Sequence, residues 1–287
     1  MINVSRKINW VSSLVNAAEI DVIEKELSDF YRRNPNYYSD IQFTADNWVN
    51  PEETGYSKIL DCIKDSENIC EIGCGSANIL KHHPGIAQKY TGLDFSEILL
   101  NENSLKFPDA RFTAIETANY FPEEDSRFDL VFSVFVLEHV TRPAVFLDEC
   151  KRILKPGGKL IILCPDFLGR GRMSSQRAGF SEGTASVKLK RHKFIDAIIT
   201  LFDNRVRIPF VCRNYLKRIE KSPLFLINVS PTMFTDTFQP DVDAVYVTSK
   251  KEILKFLDIK FSEIKNDAYM EKYTQKKKLI FLQLKKN

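Results

Sequence analysis

The segment Cys70-Glu71-Ile72-Gly73-Cys74-Gly75-Ser76 decides the fold of this 287-residue chain. A short apolar strand over residues 68–72 leads into a Gly-x-Gly turn that opens a helix. Glycines at such a turn allow left-handed backbone angles and let a ligand approach the backbone closely. Asp94 ends the next predicted strand, 21 positions after Gly73. Because an acid at about this distance binds a ribose in dinucleotide-binding folds, the combination predicts a nucleotide site.

Strands and helices alternate on both sides of this turn. Strands are predicted over residues 68–72, 89–93, 110–115, 128–134, 159–164, 261–266 and 278–284. The run Phe128–Val134 is almost continuously apolar, which is typical of a strand buried on both faces of a parallel sheet. The pattern predicts the α/β class, with a Rossmann-like, doubly wound, mostly parallel seven-stranded sheet. Ligands of such sheets bind at the carboxyl ends of the strands.

Two segments are predicted outside this alternation. Residues 1–65 form an N-terminal helical extension or lid, with helices over 12–32 and 55–63, and residues 66–287 form the main domain. Residues 167–240 are predicted to be an insertion between strands five and six. Between Arg170 and Lys221 the insertion has thirteen basic and four acidic residues, a net +9 in a chain of net +3. Such a charge run is often only a solvated face, but it is also suited to an anionic partner.

The composition excludes several classes of protein. With 44% hydrophobic and 28% charged residues, the chain is neither disordered nor fibrous in character. Its apolar stretches are far shorter than the ~20 residues of a membrane span. The first residues lack the apolar core of a signal peptide, so a cytoplasmic location is predicted. Six cysteines without metal-type spacing indicate reduced, buried thiols.

The details of the turn distinguish between two kinds of nucleotide ligand. A nicotinamide dehydrogenase usually has a third glycine where the pyrophosphate meets the helix, and this chain has Asn78 there. Glu71 lies two residues before the first glycine, where its carboxylate would repel a phosphate. An acid at this place suits a cationic ligand, which makes the dehydrogenase the weaker interpretation.

Four motifs in order resemble those of class I methyltransferases that use S-adenosylmethionine (SAM), within the large UbiE/UbiG-like group. They are EIGCGSAN (71–78), TGLDFS (91–96), FDLVFSVFVLEHV (128–140) and RILKPGGKLIILCP (152–165). The resemblance spans about residues 66–166 and resumes loosely over 240–284. It implies the fold and the cofactor SAM, but it does not identify the acceptor.

The resemblance also implies roles for residues at the glycine turn and the next strand. The backbone of Gly73, Cys74 and Gly75 would hold the methionine part of SAM, with Glu71 near its ammonium group. Asp94 would accept hydrogen bonds from the ribose hydroxyls.

Further roles fall on residues after the following strands. Phe95 would pack on the adenine, and Glu116 with Thr117 would lie near the adenine amino group. The usual Gly-Asp-Ala at that place is here Ile-Glu-Thr-Ala, a departure that weakens this assignment. Ser133 and Phe135 would border the methyl group.

His139 is the candidate catalytic residue. Methyl transfer needs the donor and the nucleophile held in line, which alone is worth ~7–11 kcal/mol, and an amine or phenol also needs a general base. The alternative is that Glu138-His139 caps and orients the following helix. In the quinone-precursor branch a Glu-x-x-Glu-His pattern is associated with a divalent metal, and here Phe135 replaces its first acid. No essential metal is therefore predicted.

The leading hypothesis is methyl transfer to an anionic small-molecule, sugar or glycan-type acceptor. The alternatives are RNA methylation and a catalytically inactive SAM-binding partner or sensor protein. Base stacking on RNA would need exposed aromatic residues among the cations. Phe194, Ile195, Ile198, Ile199 and Phe202 follow helical spacing, which favours a packed face or a membrane-surface helix. The oligomeric state is left open.

Overall fold

The computed structural model describes residues 8–33, 56–181, 183–232 and 241–287. The strands are β1 (Trp10–Ser12), β2 (Ile69–Ile72), β3 (Tyr90–Asp94), β4 (Arg111–Ala114), β5 (Phe128–Val134), β6 (Leu154–Pro165), β7 (Leu226–Asn228), β8 (Phe261–Ile264) and β9 (Leu279–Lys286). The α-helices are α1 (Ala17–Arg33), α2 (Tyr56–Lys64), α3 (Asn78–His82), α4 (Glu97–Lys106), α5 (Pro143–Ile153), α6 (Ala185–Lys190), α7 (Phe194–Phe202), α8 (Ile208–Ile219), α9 (Lys250–Leu257) and α10 (Ala268–Lys277).

Seven strands form the central sheet, in the order β4-β3-β2-β5-β6-β9-β8. The pairs from β4 to β6 are parallel, and β9 runs antiparallel to both β6 and β8. The predicted mostly parallel, seven-stranded sheet is therefore confirmed. The chain moves outward from β2 through β3 to β4 and then returns to the other side of β2 with β5. This reversal opens a crevice at the carboxyl ends of β2 and β5, where ligands of such sheets bind.

Helices cover both faces of the sheet. On β5, Val131 packs in a cluster that includes Ile23 and Leu27 of α1, whereas Leu130 and Phe132 pack on the opposite face. Successive strand residues point to opposite faces, so two covered faces require apolar residues at nearly every position. This packing explains the continuous apolar run of β5.

The N-terminal helix is shorter than predicted. It begins at Ala17, and the predicted helical start at residue 12 is wrong because Trp10–Ser12 forms an antiparallel pair with Leu226–Asn228. Trp10 is buried in a third apolar cluster, together with Ile208 of α8. Because the partner of β1 is more than two hundred positions away, no periodicity in the neighbouring sequence predicts this strand. Residues 1–7 and 34–55 of the predicted 1–65 extension lie outside the described residues.

Three helices occur where none was predicted: Ala185–Lys190, Ile208–Ile219 and Ala268–Lys277. In α8, Pro209 comes just after the π-helical turn over Asp203–Arg207, and the backbone keeps right-handed helical angles through this junction, so the proline does not end the helix. Across the described ranges, no helix has both the length and the apolar composition to cross a membrane.

Candidate active site

A cavity of about 510 Å³ lies at the carboxyl ends of β2 and β5. Its walls come from α1, the glycine turn after β2, the end of β3, the turn after β5 and the start of β9. Residues from widely separated segments therefore share one space. Eight residues predicted to act in the site line it: Glu71, Gly73, Cys74, Gly75, Asp94, Phe95, Phe135 and His139.

The glycine turn is held by β3. The backbone N–H groups of Gly73 and Cys74 both donate to the carbonyl of Leu93, at 2.7 and 3.1 Å. Gly73 has φ +72°, and a Cβ there would lie 2.3 Å from Cγ2 of Val136. Both the left-handed angle and the lack of space require glycine at this position. The turn therefore packs directly against the segment that leads to His139.

Asp94 connects the turn to the next helix. Its carboxylate accepts hydrogen bonds from the N–H of Gly75 at 2.8 Å and from the N–H of Ser96 at 2.9 Å. The Gly75 carbonyl in turn accepts from the Asn103 side chain at 2.7 Å. Because a carboxylate has about four acceptor sites, these two bonds fix Asp94 and still let it accept further ones. The orientation of its oxygens is thus set before any ligand binds.

Glu71 is a buried carboxyl group in the cavity wall. Burial raises its pKa to about 8, against the opposing effect of a hydrogen bond donated by the Tyr90 hydroxyl. The nearby Asp94 raises that pKa further, and no lysine or arginine of the described residues contributes to it. A buried acid without a cationic neighbour is well suited to receive a ligand cation.

The adenine side of the site differs in part from the predicted arrangement. Phe95 is half-buried and lines the cavity together with Ile115 and Ala118. Glu116 is exposed, and neither it nor Thr117 lines the cavity. The adenine roles of Glu116 and Thr117 stay predictions.

The two residues predicted near the methyl group lie in different surroundings. Phe135 lines the cavity at φ +56°, and its N–H donates to the carbonyl of Leu163 at 2.8 Å. Ser133 is buried inside the sheet and does not line the cavity, and its Oγ has no hydrogen-bond partner among the described residues. Its predicted role stays a prediction.

His139 lies in a short 3₁₀ turn after β5 and contacts two side chains from distant segments. The Tyr31 hydroxyl of α1 lies 3.1 Å from Nδ1 of His139 and donates to Asp243 Oδ2 at 3.0 Å. Asp243 Oδ2 is itself 3.6 Å from Nδ1. With the Tyr31 hydroxyl proton on Asp243, the imidazole tautomer that satisfies this contact carries its proton on Nδ1 and donates it to Tyr31. The Nε2 lone pair is then available to accept a proton.

The charges around His139 affect its basicity. Burial lowers the pKa of His139, but the carboxylates of Asp243 and Glu138 outweigh this effect and raise it above its ordinary value. Burial raises the pKa of Glu138 to about 7, and Glu138 Oε1 lies 3.9 Å from Nε2 of His139. A histidine held between two acids is oriented and made a stronger base.

The predicted capping role of Glu138-His139 is not what the structure shows. The following helix α5 begins at Pro143, and its N-cap residue Arg142 makes no side-chain capping bond. The Glu138 carbonyl instead accepts from the N–H groups of Val245 and Tyr246, at 2.7 and 2.9 Å. The dipeptide therefore fixes the segment that carries Asp243 beside the histidine.

Sequence reasoning missed several residues that line this end of the cavity. They are Glu24, Tyr31, Asp243, Tyr273 and Lys277. Asp241 lines it as well and is bound by two arginines, at 2.8 Å from Nε of Arg172 and 2.8 Å from Nη2 of Arg177. The only sequence signal for this group is the pattern Asp241-Val-Asp-Ala-Val-Tyr246, which predicts neither a helix nor a strand.

Few cations of the insertion reach the cavity. Among its predicted basic residues, only Arg172 lines the cavity, and Lys277 of α10 lines it as well. Arg170 lies instead beside Asp166 and Glu271, at 3.7 and 3.6 Å. Within the described ranges, no cluster of three or more histidine, cysteine or acidic side chains has the geometry of a metal site.

Comparison with known families matches residues 70–162 to a family described as a methyltransferase domain. A demethylmenaquinone methyltransferase of Bacillus subtilis is 32% identical over 108 residues, which are 35% of this chain and 46% of that protein. A ubiquinone biosynthesis O-methyltransferase of Maricaulis maris is 31% identical over 164 residues, covering 51% of this chain and 63% of that protein. The chain thus spans about half the length of the curated relatives it matches.

One similar solved structure is a SAM-dependent methyltransferase from Thermotoga maritima. It covers 90% of this chain and 99% of its own, with a TM-score of 0.48 and 18% identity. The matched family segment contains the glycine turn, Asp94 and His139, all of which line the cavity.

Proposed function

We propose that this chain, whose central part is a class I SAM-dependent methyltransferase domain, methylates a small-molecule acceptor in the cavity described above. One observation carries the proposal. The glycine turn with Glu71 and Asp94 opens into the same cavity as the Tyr31–His139–Asp243 group. A donor site and a candidate base therefore face each other across one space.

The residues present fit SAM. Glu71, buried without a cationic neighbour, would bind the ammonium group of the methionine part. Asp94, oriented by Gly75 and Ser96, would accept from the ribose hydroxyls, and Phe95 would pack on the adenine. When bound, SAM supplies a methyl group on a sulfonium, which is open to in-line displacement by a nucleophile.

His139 is proposed as the general base that takes a proton from the acceptor. Tyr31 and Asp243 hold Nδ1 protonated, which leaves Nε2 as the proton acceptor. An acceptor hydroxyl or amino group within hydrogen-bond reach of Nε2 would lose its proton as it attacks the methyl group. The other contribution of the cavity is to hold the two reacting groups in line.

The charge of the cavity bears on the acceptor class. At the His139 end, Asp241 is paired with Arg172 and Arg177, and Glu24 is paired with Arg142. The acids that act on His139 itself are Asp243 and Glu138. This balance favours an acceptor whose reacting group is a neutral hydroxyl or an amine. An anionic sugar or glycan-type acceptor stays a prediction, for which Lys277 is the exposed cation at the cavity edge.

The names of the relatives suggest a further acceptor to test. One is named for demethylmenaquinone methylation and another for O-methylation in ubiquinone biosynthesis. O-methylation starts from a hydroxyl group, which is the chemistry that His139 would assist. The acceptor panel therefore includes hydroxylated quinone precursors beside sugar phosphates, acidic sugars and amines.

Calorimetric titration with SAM and S-adenosylhomocysteine tests the donor site. We expect the wild-type protein to bind both, and Asp94→Ala to bind at least about tenfold more weakly, because hydrogen bonds to a charged group are lost. The exposed Asp109 offers a matched control outside the cavity, and Asp109→Ala should bind like the wild type. A folded wild-type protein that binds neither compound would overturn the proposal.

Turnover separates an enzyme from an inactive SAM-binding protein. S-adenosylhomocysteine release is measured across the acceptor panel and with RNA. Once an acceptor is found, His139→Ala should lower kcat by about 10²–10⁴ and leave the SAM affinity unchanged. SAM binding without turnover on any acceptor would favour the sensor alternative. The cytoplasmic location stays a prediction, to be tested by cell fractionation.

A further inference from the structure

The insertion presents a long helical surface away from the cavity. α7, a π-helical turn over Asp203–Arg207 and α8 follow one another without a break, since the joining residues keep right-handed helical angles. One side of this stretch packs inward through Ala197, Thr200 and Asp203, then through Ile208, Cys212 and Ile219. The opposite side faces solvent.

That solvent-facing side is apolar over several turns. The exposed side chains are Phe194, Ile195, Ile198, Leu201, Phe202, Val206 and Phe210, each 42–65% exposed. Single exposed apolar residues need no explanation, but a contiguous apolar stripe on a protein surface marks an interaction site. We call these seven residues the apolar stripe.

Cations surround the apolar stripe. The segment from Ala185 to Ile219 contains nine lysines and arginines against two acids, Asp196 and Asp203, a net charge of +7. Asp203 is buried and paired with Arg207, so it does not offset the surface charge outside. The exposed cations nearest the stripe in the chain are Lys190, Arg191, Lys193, Arg205, Arg213 and Lys217.

We infer that the apolar stripe and its cations dock this protein on an anionic lipid bilayer surface. The stripe would enter the boundary between headgroups and acyl chains, while the cations contact anionic headgroups. An amphipathic helix with large apolar residues on one face and lysines and arginines around it has this preference. The helix lies in the plane of the membrane and does not cross it.

Charge argues against the main other occupant, a second copy of this chain. A two-fold symmetric contact through the stripe would bring the same patch together with itself. Arg205 and Arg213 of one copy would then approach the same cations of the other. Like charges at an interface cost free energy, whereas an anionic bilayer is attracted to all of them.

Vesicle sedimentation with the full chain tests the inference. We expect the protein to sediment with vesicles of equal parts phosphatidylcholine and phosphatidylglycerol, but not with phosphatidylcholine alone. High salt should weaken the binding, because the lipid and protein charges are then screened. Failure to bind the anionic vesicles at low salt, or equal binding to both kinds, would overturn it.

Two variants separate the apolar and the charged contributions. The triple variant Ile198→Ser, Phe202→Ser, Phe210→Ser removes exposed side chains only, and we expect at least a tenfold loss of vesicle affinity. Arg205→Glu with Arg213→Glu should cause a comparable loss, which depends on salt. The matched control is Leu105→Ser with Ile259→Ser, at 86% and 91% exposure outside the stripe, and it should bind like the wild type.

The oligomeric state and the SAM affinity of the same variants also test membrane docking. Sedimentation equilibrium of the wild type and of the triple serine variant tests the stripe as a subunit interface. If the wild type is a dimer, the variant is a monomer and the wild type does not bind vesicles, the stripe is a subunit interface and the inference is wrong. SAM titration of the same variants should match the wild type. This readout keeps a failure of membrane docking distinct from a failure of the proposed function.

Discussion

The Tyr31 hydroxyl lies 3.1 Å from Nδ1 of His139, although the two residues are 108 positions apart in the chain. Tyr31 also donates to Asp243, which comes from a third segment. The imidazole is therefore oriented only when α1, the turn after β5 and the segment before α9 have all packed together. The proposal that His139 acts as a base rests on this contact.

Asp243→Asn should change how activity depends on pH. In the proposed mechanism the neutral imidazole is the base, so the rate should rise with pH through the pKa of His139. Because the Asp243 carboxylate raises that pKa, its loss should move the rise to lower pH. We also expect kcat to fall by roughly tenfold or more, since Nδ1 loses its orientation, with SAM affinity unchanged.

The measurement is a pH–rate profile with saturating SAM. Asp258→Asn provides the control, because Asp258 is an exposed aspartate that follows α9 and does not line the cavity. A profile of Asp243→Asn that coincides with the wild type would show that Asp243 does not act on the histidine. A purely structural role would lower kcat without moving the pH at which the rate rises.

SAM affinity should itself depend on pH through Glu71. Burial raises the pKa of this carboxyl group to about 8, so near neutral pH it is mostly protonated in the free protein. The ammonium group of SAM favours the ionised form, and binding must then release a proton. We expect the affinity to rise by roughly tenfold between about pH 6 and pH 7.

Calorimetry in buffers of different ionisation enthalpy measures that proton release directly. Glu71→Gln keeps the size of the side chain and cannot titrate, so its SAM affinity should be low and flat over the same range. An equally steep pH dependence in Glu71→Gln would assign the effect to another group.

Gly73→Ala should impair both folding stability and SAM binding. The added Cβ meets Val136 at 2.3 Å, and the backbone is left-handed at φ +72°. The left-handed angle alone costs roughly 1–2 kcal/mol for a residue with a Cβ, and overpacking adds about 1–3 kcal/mol. Urea unfolding of the variant should therefore show a free energy of unfolding lower by several kcal/mol.

The variant Gly157→Ala separates the cost of the left-handed backbone angle from the cost of the steric contact. Gly157 has φ +76°, and nothing lies within 4 Å of an added Cβ. Gly157→Ala should cost only the backbone part and should leave SAM binding intact. Equal losses in the two alanine variants would mean that the contact with Val136 is relieved by a small shift.

Several parts of this molecule were predictable because their signals are local. Apolar runs such as Phe128–Val134 predict the buried strands, and Gly73, Gly75 and Asp94 predict the donor site. The requirement for glycine at the turn arises from backbone angles and from a close contact, and both are read directly from residue type. For this reason the fold and the cofactor could be predicted from the sequence.

The amino-acid sequence by itself therefore determined the sheet, the glycine turn and the acid that fixes it. Only the tertiary structure decided which side chains meet His139, which of the many cations reach the cavity and which helix faces lie open. Tyr31, His139 and Asp243 belong to segments with no common periodicity, and their contact depends on long-range packing. Local patterns specify secondary structure, whereas the assembly of a site from distant segments is set by burial, which no short window of sequence contains.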